Sequence, residues 1–395
     1  MKTLQLKAGK DKAVRQHHPW VFSGALENIK NQPSQGEIIT LVNSKGEFLA
    51  YGYFNDQSKI MVRAIEWNEQ ETVNDNWWRN KLEKAVKRRA DLFNNADTNS
   101  FRIVYSEADG LPGLIVDKYA DYLVVQILTV GIEAHKEIII NSLNDLLKPK
   151  GIYERSDASA RSLEGLKASN GLLMGREPEE FTKIKENGLT FVVNIADGQK
   201  SGYFLDQRVT RKIVGEYCKN LNVLDCFCYA GGFTLNAKKA GAKSVISVDS
   251  SPLAIDMVKR NHEANGQGFK DEELVRGDVN TTLRRFQQEK RKFDLIILDP
   301  PKLAPNRSAV DRALRAYKDL NLQALKILEP GGLLATFSCS GGIELSMLKQ
   351  AVAWAALDAG KEVQFIEQFI QPSDHPVLTS FPESEYLKGL LCRVL

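Results

Sequence analysis

No stretch of the 395-residue chain approaches the roughly 18 uninterrupted apolar residues that a membrane-spanning helix needs. Its start, Met1-Lys2-Thr3-Leu4-Gln5-Leu6-Lys7, lacks the apolar core and small-residue cleavage site of a secretory signal, which predicts a cytoplasmic chain. Cysteine is scarce. Cys218, Cys226, Cys228, Cys339 and Cys392 are odd in number and irregular in spacing, which argues against a disulfide framework and predicts reduced thiols. Cys226 and Cys228 are close, but no second close pair completes a structural zinc site, so no metal is expected. Internal repeats and low-complexity tracts are absent. Charge of one sign is scarce too, with a formal net charge of +3.

What is present is an ordinary globular composition, 43% hydrophobic and 26% charged. The length predicts two or three domains. The small positive excess is unevenly spread. Residues 1–90 carry 15 Lys/Arg against 10 Asp/Glu, and the rest is slightly acidic. The excess lies in Lys2, Lys7, Lys10, Lys12 and Arg15, and again in Lys81, Lys84, Lys87, Arg88 and Arg89. Such clusters suit phosphate contact, although the second is equally readable as a solvated helix face.

Pattern divides the chain in three. Residues 1–80 hold β-rich runs at 36–42, 47–54 and 60–65 between turn clusters, which predicts a small β-barrel. A basic helix is predicted at 75–95. Residues 81–195 predict a small α+β domain, with a hairpin at 114–118 and 122–128, a helix at 132–147, and strands near 151–154 and 190–195. Residues 196–395 alternate strand and helix, with strands at 222–225, 244–249, 273–276, 293–299, 332–338 and 363–370. That alternation predicts a mostly parallel, doubly wound α/β sheet. The last segment, 386–395, arrives without a crossover helix and is predicted to pair antiparallel.

Ligands of such sheets bind beyond the carboxyl ends of the strands. The first strand ends Asp225-Cys226-Phe227-Cys228-Tyr229-Ala230-Gly231-Gly232. A dinucleotide loop needs small residues where Phe227 and Tyr229 stand, because backbone must approach a pyrophosphate. S-adenosylmethionine has no phosphate and tolerates that bulk. Asp249 closes the second strand, where a carboxylate accepts ribose hydroxyls; it could equally cap the helix near Pro252. Asp278 either accepts from an adenine amine or caps the helix that starts at Val279. The fourth strand ends Asp299-Pro300-Pro301-Lys302, a rigid lip suited to presenting a flat base with Asp299 at its edge.

The fifth strand ends Ser338-Cys339-Ser340-Gly341-Gly342. A lone cysteine is most often a small buried hydrophobe. Cys339, however, leaves an apolar strand for a Ser/Gly loop on the ligand side, and a helix predicted from Ile343 would lower its pKa. Carbon 5 of a pyrimidine is a poor nucleophile. Thiolate addition at carbon 6 makes it enamine-like and able to attack a sulfonium methyl group, which is covalent catalysis. Asp299 could stabilise charge at the N3/N4 edge. The proton-removing base is not apparent.

These segments, with Asp197-Gly198-Gln199-Lys200-Ser201-Gly202-Tyr203-Phe204-Leu205-Asp206-Gln207-Arg208 and His18-Pro19-Trp20-Val21-Phe22-Ser23-Gly24, resemble the bacterial ribosomal RNA large subunit methyltransferase I family over the whole chain. The resemblance implies a PUA domain, a central α+β domain and a Rossmann-like class I methyltransferase domain. It implies S-adenosylmethionine as cofactor and carbon-5 methylation of a 23S rRNA cytosine, at position 1962, in the rRNA or its large-subunit precursor. Cys339 matches the nucleophile. Phe204, Asp206, Gln207 and Arg208 match the segment over the cofactor, and Asp225, Phe227, Tyr229, Gly231, Asp249, Ser250, Asp278, Val279 and Asp299 its pocket. Lys10, Arg15, His18, Trp20 and Lys302 are candidate RNA contacts, though Trp20 reads more naturally as local core. Lys302 stands where many RNA 5-methylcytosine enzymes carry a second cysteine, so a two-cysteine cycle is not expected.

Three alternatives stay open: a uracil-carbon-5 enzyme with the same thiol logic, an exocyclic-amine methyltransferase, and a non-catalytic RNA-binding protein with a methyltransferase fold. Lys302 argues against the second, because such enzymes commonly place an aromatic residue there. The acidic set and Cys339 argue against the third. The sequence leaves monomer and homodimer both open.

Overall fold

In a computed structural model of the chain, residues 1–156, 159–196, 198, 202–304 and 306–395 are described. The chain divides into two compact units. The first comprises 1–184, 193–205 and 374–384, and the second 185–192, 206–373 and 385–395. Among the described residues no helix is long and apolar enough to cross a membrane.

The first unit begins with β1 (Lys2–Gln5), α1 (Lys12–Arg15), β2 (Trp20–Phe22), β3 (Ile38–Val42), β4 (Phe48–Phe54) and β5 (Ile60–Glu66). The sheet order is β1-β3-β4-β5-β2, with β1 parallel to β3. Its apolar faces meet in a cluster that includes Leu4, Leu6, Ile39, Leu41, Phe54 and Val62. The pattern predicted β3, β4 and β5; β1 and β2 are too short for alternation to declare them.

Then follow α2 (Asp75–Lys87), α3 (Ala90–Phe93), β6 (Ser100–Tyr105), β7 (Leu114–Tyr119), β8 (Tyr122–Ile127), α4 (Val130–Ala134), α5 (Lys136–Leu147), β9 (Gly151–Ser156), α6 (Ser159–Ser162) and β10 (Ser169–Gly175). These strands form a second five-stranded sheet in the order β10-β9-β8-β7-β6. The basic helix predicted over 75–95 is corrected to α2 and the short α3. The break falls where the Arg89 side chain turns inward to a bidentate pair with Asp109 (both bonds 2.7 Å). The predicted strand at 190–195 does not join this sheet. β11 (Thr182–Glu186) and β12 (Leu189–Val193) pair with each other.

The second unit continues with α7 (Arg208–Glu216), β13 (Asn222–Cys226), α8 (Gly232–Lys239), β14 (Ser244–Asp249), α9 (Pro252–Ala264), β15 (Leu274–Arg276), α10 (Val279–Gln288), β16 (Phe293–Leu298), α11 (Val310–Ile327), β17 (Leu328–Ser338), α12 (Leu345–Ala359), β18 (Val363–Phe369) and β19 (Lys388–Val394). The seven-stranded order is β15-β14-β13-β16-β17-β19-β18. β19 alone runs antiparallel, wedged between β17 and β18, as expected of a strand reached without a crossover helix. Apolar clusters cover both faces. One gathers Leu224, Ile296, Leu334 and Leu390 with α11 and α12, and the other gathers Val223, Leu295, Ala335 and Phe337 with α7 and α8. Runs such as Leu295-Ile296-Ile297-Leu298 are apolar throughout because both faces are buried. The strand order reverses between β13 and β16, and the crevice at that switch point lies beyond Asp225 and Asp299.

Candidate active site

Asp225, the penultimate residue of β13, is fully buried. Its Oδ2 accepts from the Thr234 backbone N–H (3.0 Å) and hydroxyl (2.7 Å). Burial, with Asp299 and Asp249 adding to it and Thr234 opposing, pushes its pKa up to about 7. The loop that follows is strained. Phe227 (φ 61°) and Tyr229 (φ 47°) both hold left-handed backbone before Gly231 (φ 77°) leads into α8. Two bulky residues in that region cost on the order of 1–3 kcal/mol each, and such outliers gather at ligand sites.

Asp249 is not the helix cap that the sequence left open. Ser251 caps α9, and the two Asp249 oxygens accept from the Tyr229 and Ser251 backbone N–H groups (3.0 and 2.9 Å). The carboxylate is thus held at the end of β14, next to an exposed Ser250. Asp278 does cap its helix, accepting from the Thr281 N–H and hydroxyl (both 2.8 Å). It is exposed, and Val279 behind it is buried. The cap leaves its second oxygen without a bond to α10, so capping and ligand contact are compatible.

Asp299 follows β16 and accepts from the Gln207 amide Nε2 (3.1 Å). Asp206, Gln207 and Arg208 are all buried, and Asp206 accepts from the Tyr386 hydroxyl (2.5 Å). Phe204 is half-buried. Upstream, Asp197, Gln199, Lys200 and Ser201 of the family-like stretch lie outside the described residues.

Cys339 directly follows β17 and is the one cysteine of the five that is not buried. Burial pushes the Cys218 and Cys392 thiols up to about 12, and those of Cys226 and Cys228 well above the ordinary range. Those four are fixed as thiols. The Cys339 loop is pinned on both sides. The Tyr317 hydroxyl donates to Ser338 Oγ (2.9 Å), and the Ala304 N–H donates to Ser340 Oγ (3.1 Å). Ser340 thereby ties the cysteine loop to the segment that carries Pro300, Pro301 and the exposed Lys302. One expectation is corrected. The helix does not open at Ile343 but at Leu345, six residues beyond Cys339, because Gly341 and Gly342 form a turn first.

Sequence reasoning missed Gln207 as the partner of Asp299, and Tyr317, which lies mid-helix with no local signal. S-adenosylmethionine fits this donor and acceptor set. Buried Gln207 Oε1 and Asp225 Oδ1 have no hydrogen-bond partner among the described residues, and a ligand rich in N–H and O–H donors with a net positive charge would satisfy both. No cluster that could hold a metal is found among the described residues.

The RNA candidates of the first unit are dispersed. Lys10 is exposed, whereas Arg15 is paired with Asp11 (2.7 Å) and Glu47 (3.3 Å). His18 contacts Glu383 (3.5 Å). Trp20, half-buried, donates to Glu107 (2.8 Å) and packs on Phe381. A cavity of ≈ 360 Å³ lies nearby, lined by Lys81 and Lys84 from α2, by Arg88 just past its end, and by His17 and Trp67. The last two rings stack at 5.0 Å, and His17 is held at φ 64°.

Residues 4–67 match the PUA-like domain family, and residues 167–393, more than half of the chain, match the S-adenosylmethionine-dependent methyltransferase family. A ribosomal RNA large subunit methyltransferase I from Aliivibrio fischeri is 43% identical over 393 residues, covering 100% of this chain and 99% of its own. The protein of the same name from Photobacterium profundum is 42% identical, covering 99% of each. Among solved structures, a chain from Streptococcus mutans described as a SAM-dependent methyltransferase superposes with TM-score 0.85 at 22% identity, covering 100% of both chains. A methyltransferase complexed with S-adenosylhomocysteine reaches TM-score 0.87 at 23% identity over the same coverage. At that identity the two structures speak for the fold.

Proposed function

The chain belongs to the ribosomal RNA large subunit methyltransferase I family of S-adenosylmethionine-dependent enzymes, and from that premise we propose that it methylates carbon 5 of a cytosine in 23S rRNA, the one at position 1962, through a covalent Cys339 adduct. The observation that carries this reading is the singular state of Cys339. It alone among five thiols is not buried, and it lies on the strand-end loop that Ser340 ties to the Asp299-Pro300-Pro301 segment.

When bound, S-adenosylmethionine supplies an electrophilic methyl group on a positively charged sulfur. Gln207, Asp225, Tyr229 and Asp249 are the residues proposed to hold it, with Phe204, Asp206 and Arg208 shaping the lid segment and Asp278 at the adenine end. The Cys339 thiolate forms a bond to ring carbon 6, and the displaced π electrons make carbon 5 nucleophilic enough to take the methyl group. Asp299 holds the N3/N4 edge as charge builds there. A base then removes the carbon-5 proton, the electrons of that C–H bond restore the ring double bond, and the cysteine leaves as thiolate. RNA is drawn to the first unit by Lys10, Lys81, Lys84 and Arg88, and Lys302 meets phosphate beside the reacting base.

The test is methylation of 23S rRNA in vitro followed by mass mapping, with Cys339→Ala in parallel. The variant is expected to lose methyl transfer by at least about 10³-fold, as removal of a nucleophile does, while binding S-adenosylmethionine nearly as tightly. Full transfer by Cys339→Ala would sink the covalent scheme. A methylated uracil would move the assignment to the uracil enzymes.

A further inference from the structure

The left-handed backbone of His17 has a local cause. α1 ends in a Schellman turn, in which the His18 N–H donates back to the Ala13 carbonyl and the His17 N–H to the Val14 carbonyl (both 2.9 Å). The residue inside such a turn takes positive φ, and His17 does so at 64°. Glycine is the usual occupant, because a side chain is strained there. A turn that only stops a helix gains nothing from an imidazole. Here the ring lies parallel on the Trp67 indole, at 5.0 Å and 10°. The indole is itself fixed, donating through Nε1 to the Val14 carbonyl (2.9 Å). His17 is nonetheless exposed. Tryptophan backs one face of its ring and the other face is open.

Both rings line the cavity of ≈ 360 Å³ in the first unit, a size within the ~300–1,000 Å³ of small-ligand sites. Lys81, Lys84 and Arg88 line it too. Lys81 is neutralised by Glu66 (3.2 Å). Lys84 is exposed and in no ion pair among the described residues. Arg88 touches Asp109 (3.1 Å), but that carboxylate already accepts two bonds from Arg89 and one from the Tyr105 N–H (all 2.7 Å). Its roughly four lone-pair sites are filled, while most of the Arg88 N–H donors remain unspent. Glu107, the other carboxylate of the lining, is held by the Trp20 indole N–H (2.8 Å) and the Ser106 hydroxyl. An inorganic anion would use the two cations and leave the ring idle. An apolar ligand would do the reverse. A nucleotide uses both, with its base on a ring and its phosphate on a cation.

We propose that this cavity seats one unstacked nucleotide of the RNA substrate, with its base against the open face of His17 and its phosphate at Lys84 and Arg88. The first unit then reads a splayed-out base in addition to attracting the backbone by charge. The inference rests on the reading that the substrate is RNA, but its test reads binding and not methyl transfer.

The experiment has two parts, both on the full-length protein with a 23S rRNA transcript. In the first, ultraviolet cross-linking followed by mass spectrometry should find a nucleotide on the peptide that holds His17 or on the one that holds Trp67. Cross-links confined to other peptides would overturn the proposal. In the second, filter binding and urea midpoints are compared for His17→Gly and His17→Tyr. His17→Gly should weaken RNA binding about 5-fold or more, the lower end of what loss of one base–ring stack costs. The dependence of affinity on salt should not change, because no charge is removed. His17→Tyr keeps a ring on the strained backbone, so it should bind RNA within about 3-fold of the wild type and be no more stable than His17→Gly. The two variants thus rank oppositely in affinity and in stability, which a merely structural histidine would not produce. Wild-type affinity in His17→Gly, or an equal loss in both variants, would sink the idea. If the transcript is not methylated but the cross-link and the ring dependence are found, the nucleotide seat stands and the proposed reaction falls. If methylation is found without them, the seat falls alone.

Discussion

Asp225 shows how much one residue can report. Its carboxyl titrates near 4 in an unfolded chain and at about 7 when buried at the end of β13. Across that window the unfolded chain releases a proton that the folded protein retains. Folding therefore becomes less favourable as pH rises from about 4 to 7, and the full penalty is present above the folded value. Asp225→Asn removes this penalty. Its urea midpoint should depend less on pH than that of the wild type, with the variant gaining ground at pH above about 7. The same ionisation bears on the ligand. Asp225, Asp249 and Asp299 sense one another, so a cation among them is favoured most when all three are charged. S-adenosylmethionine carries a sulfonium charge that S-adenosylhomocysteine lacks. The ratio of their affinities, measured by calorimetry, is expected to rise from about pH 6 to 8 in the wild type and to flatten in Asp225→Asn. A ratio independent of pH in the wild type would show that Asp225 does not sense that charge.

At the scale of elements, the β17–β19 pair carries the site. β17 delivers Cys339, and β19 sets Lys388 opposite Ser338, one position before it. Gly389 is the pin. A methyl group there would meet the Phe337 ring at 2.4 Å, far inside contact distance. Gly389→Ala should lower stability by about 1–3 kcal/mol, the usual cost of overpacking. Denaturant midpoints with an unchanged slope would measure it. Phe337→Leu placed in that background should recover part of the stability, because the smaller side chain vacates the space. If the double variant is only the sum of the two single effects, the clash is not what fixes the register. Loop and helix ends matter equally. Two glycines after Ser340 form a turn and delay α12 to Leu345.

For the molecule as a whole, a net charge of +3 conceals a basic first quarter. On α2, Lys84 is exposed and in no ion pair among the described residues, and Arg88 reaches the cavity that His17 and Trp67 also line. If RNA phosphate is bound there, Lys84→Ala with Arg88→Ala should weaken rRNA binding and lower the slope of log affinity against log salt by roughly 0.7–0.9 for each phosphate no longer neutralised. Filter binding at several salt concentrations reads both, and an unaltered slope would place the phosphate-binding residues elsewhere. The sequence by itself determined the β-rich PUA-like start, the doubly wound sheet and its antiparallel final strand, and the acidic strand ends with Cys339 among them. These are local properties: periodicity of apolar residues, turn chemistry, and polar residues where strands stop. Short strands such as β1 and β2, the early end of α2, and the starting residue of α12 were not legible, since a few residues set no period and Arg89 turns inward only to meet a distant aspartate. Partners far apart in the chain were decided by tertiary structure alone. Gln207 against Asp299, Tyr317 against Ser338 and Lys388 opposite Ser338 meet because strand order and register bring them together, and no local pattern encodes a meeting of residues so distant in sequence.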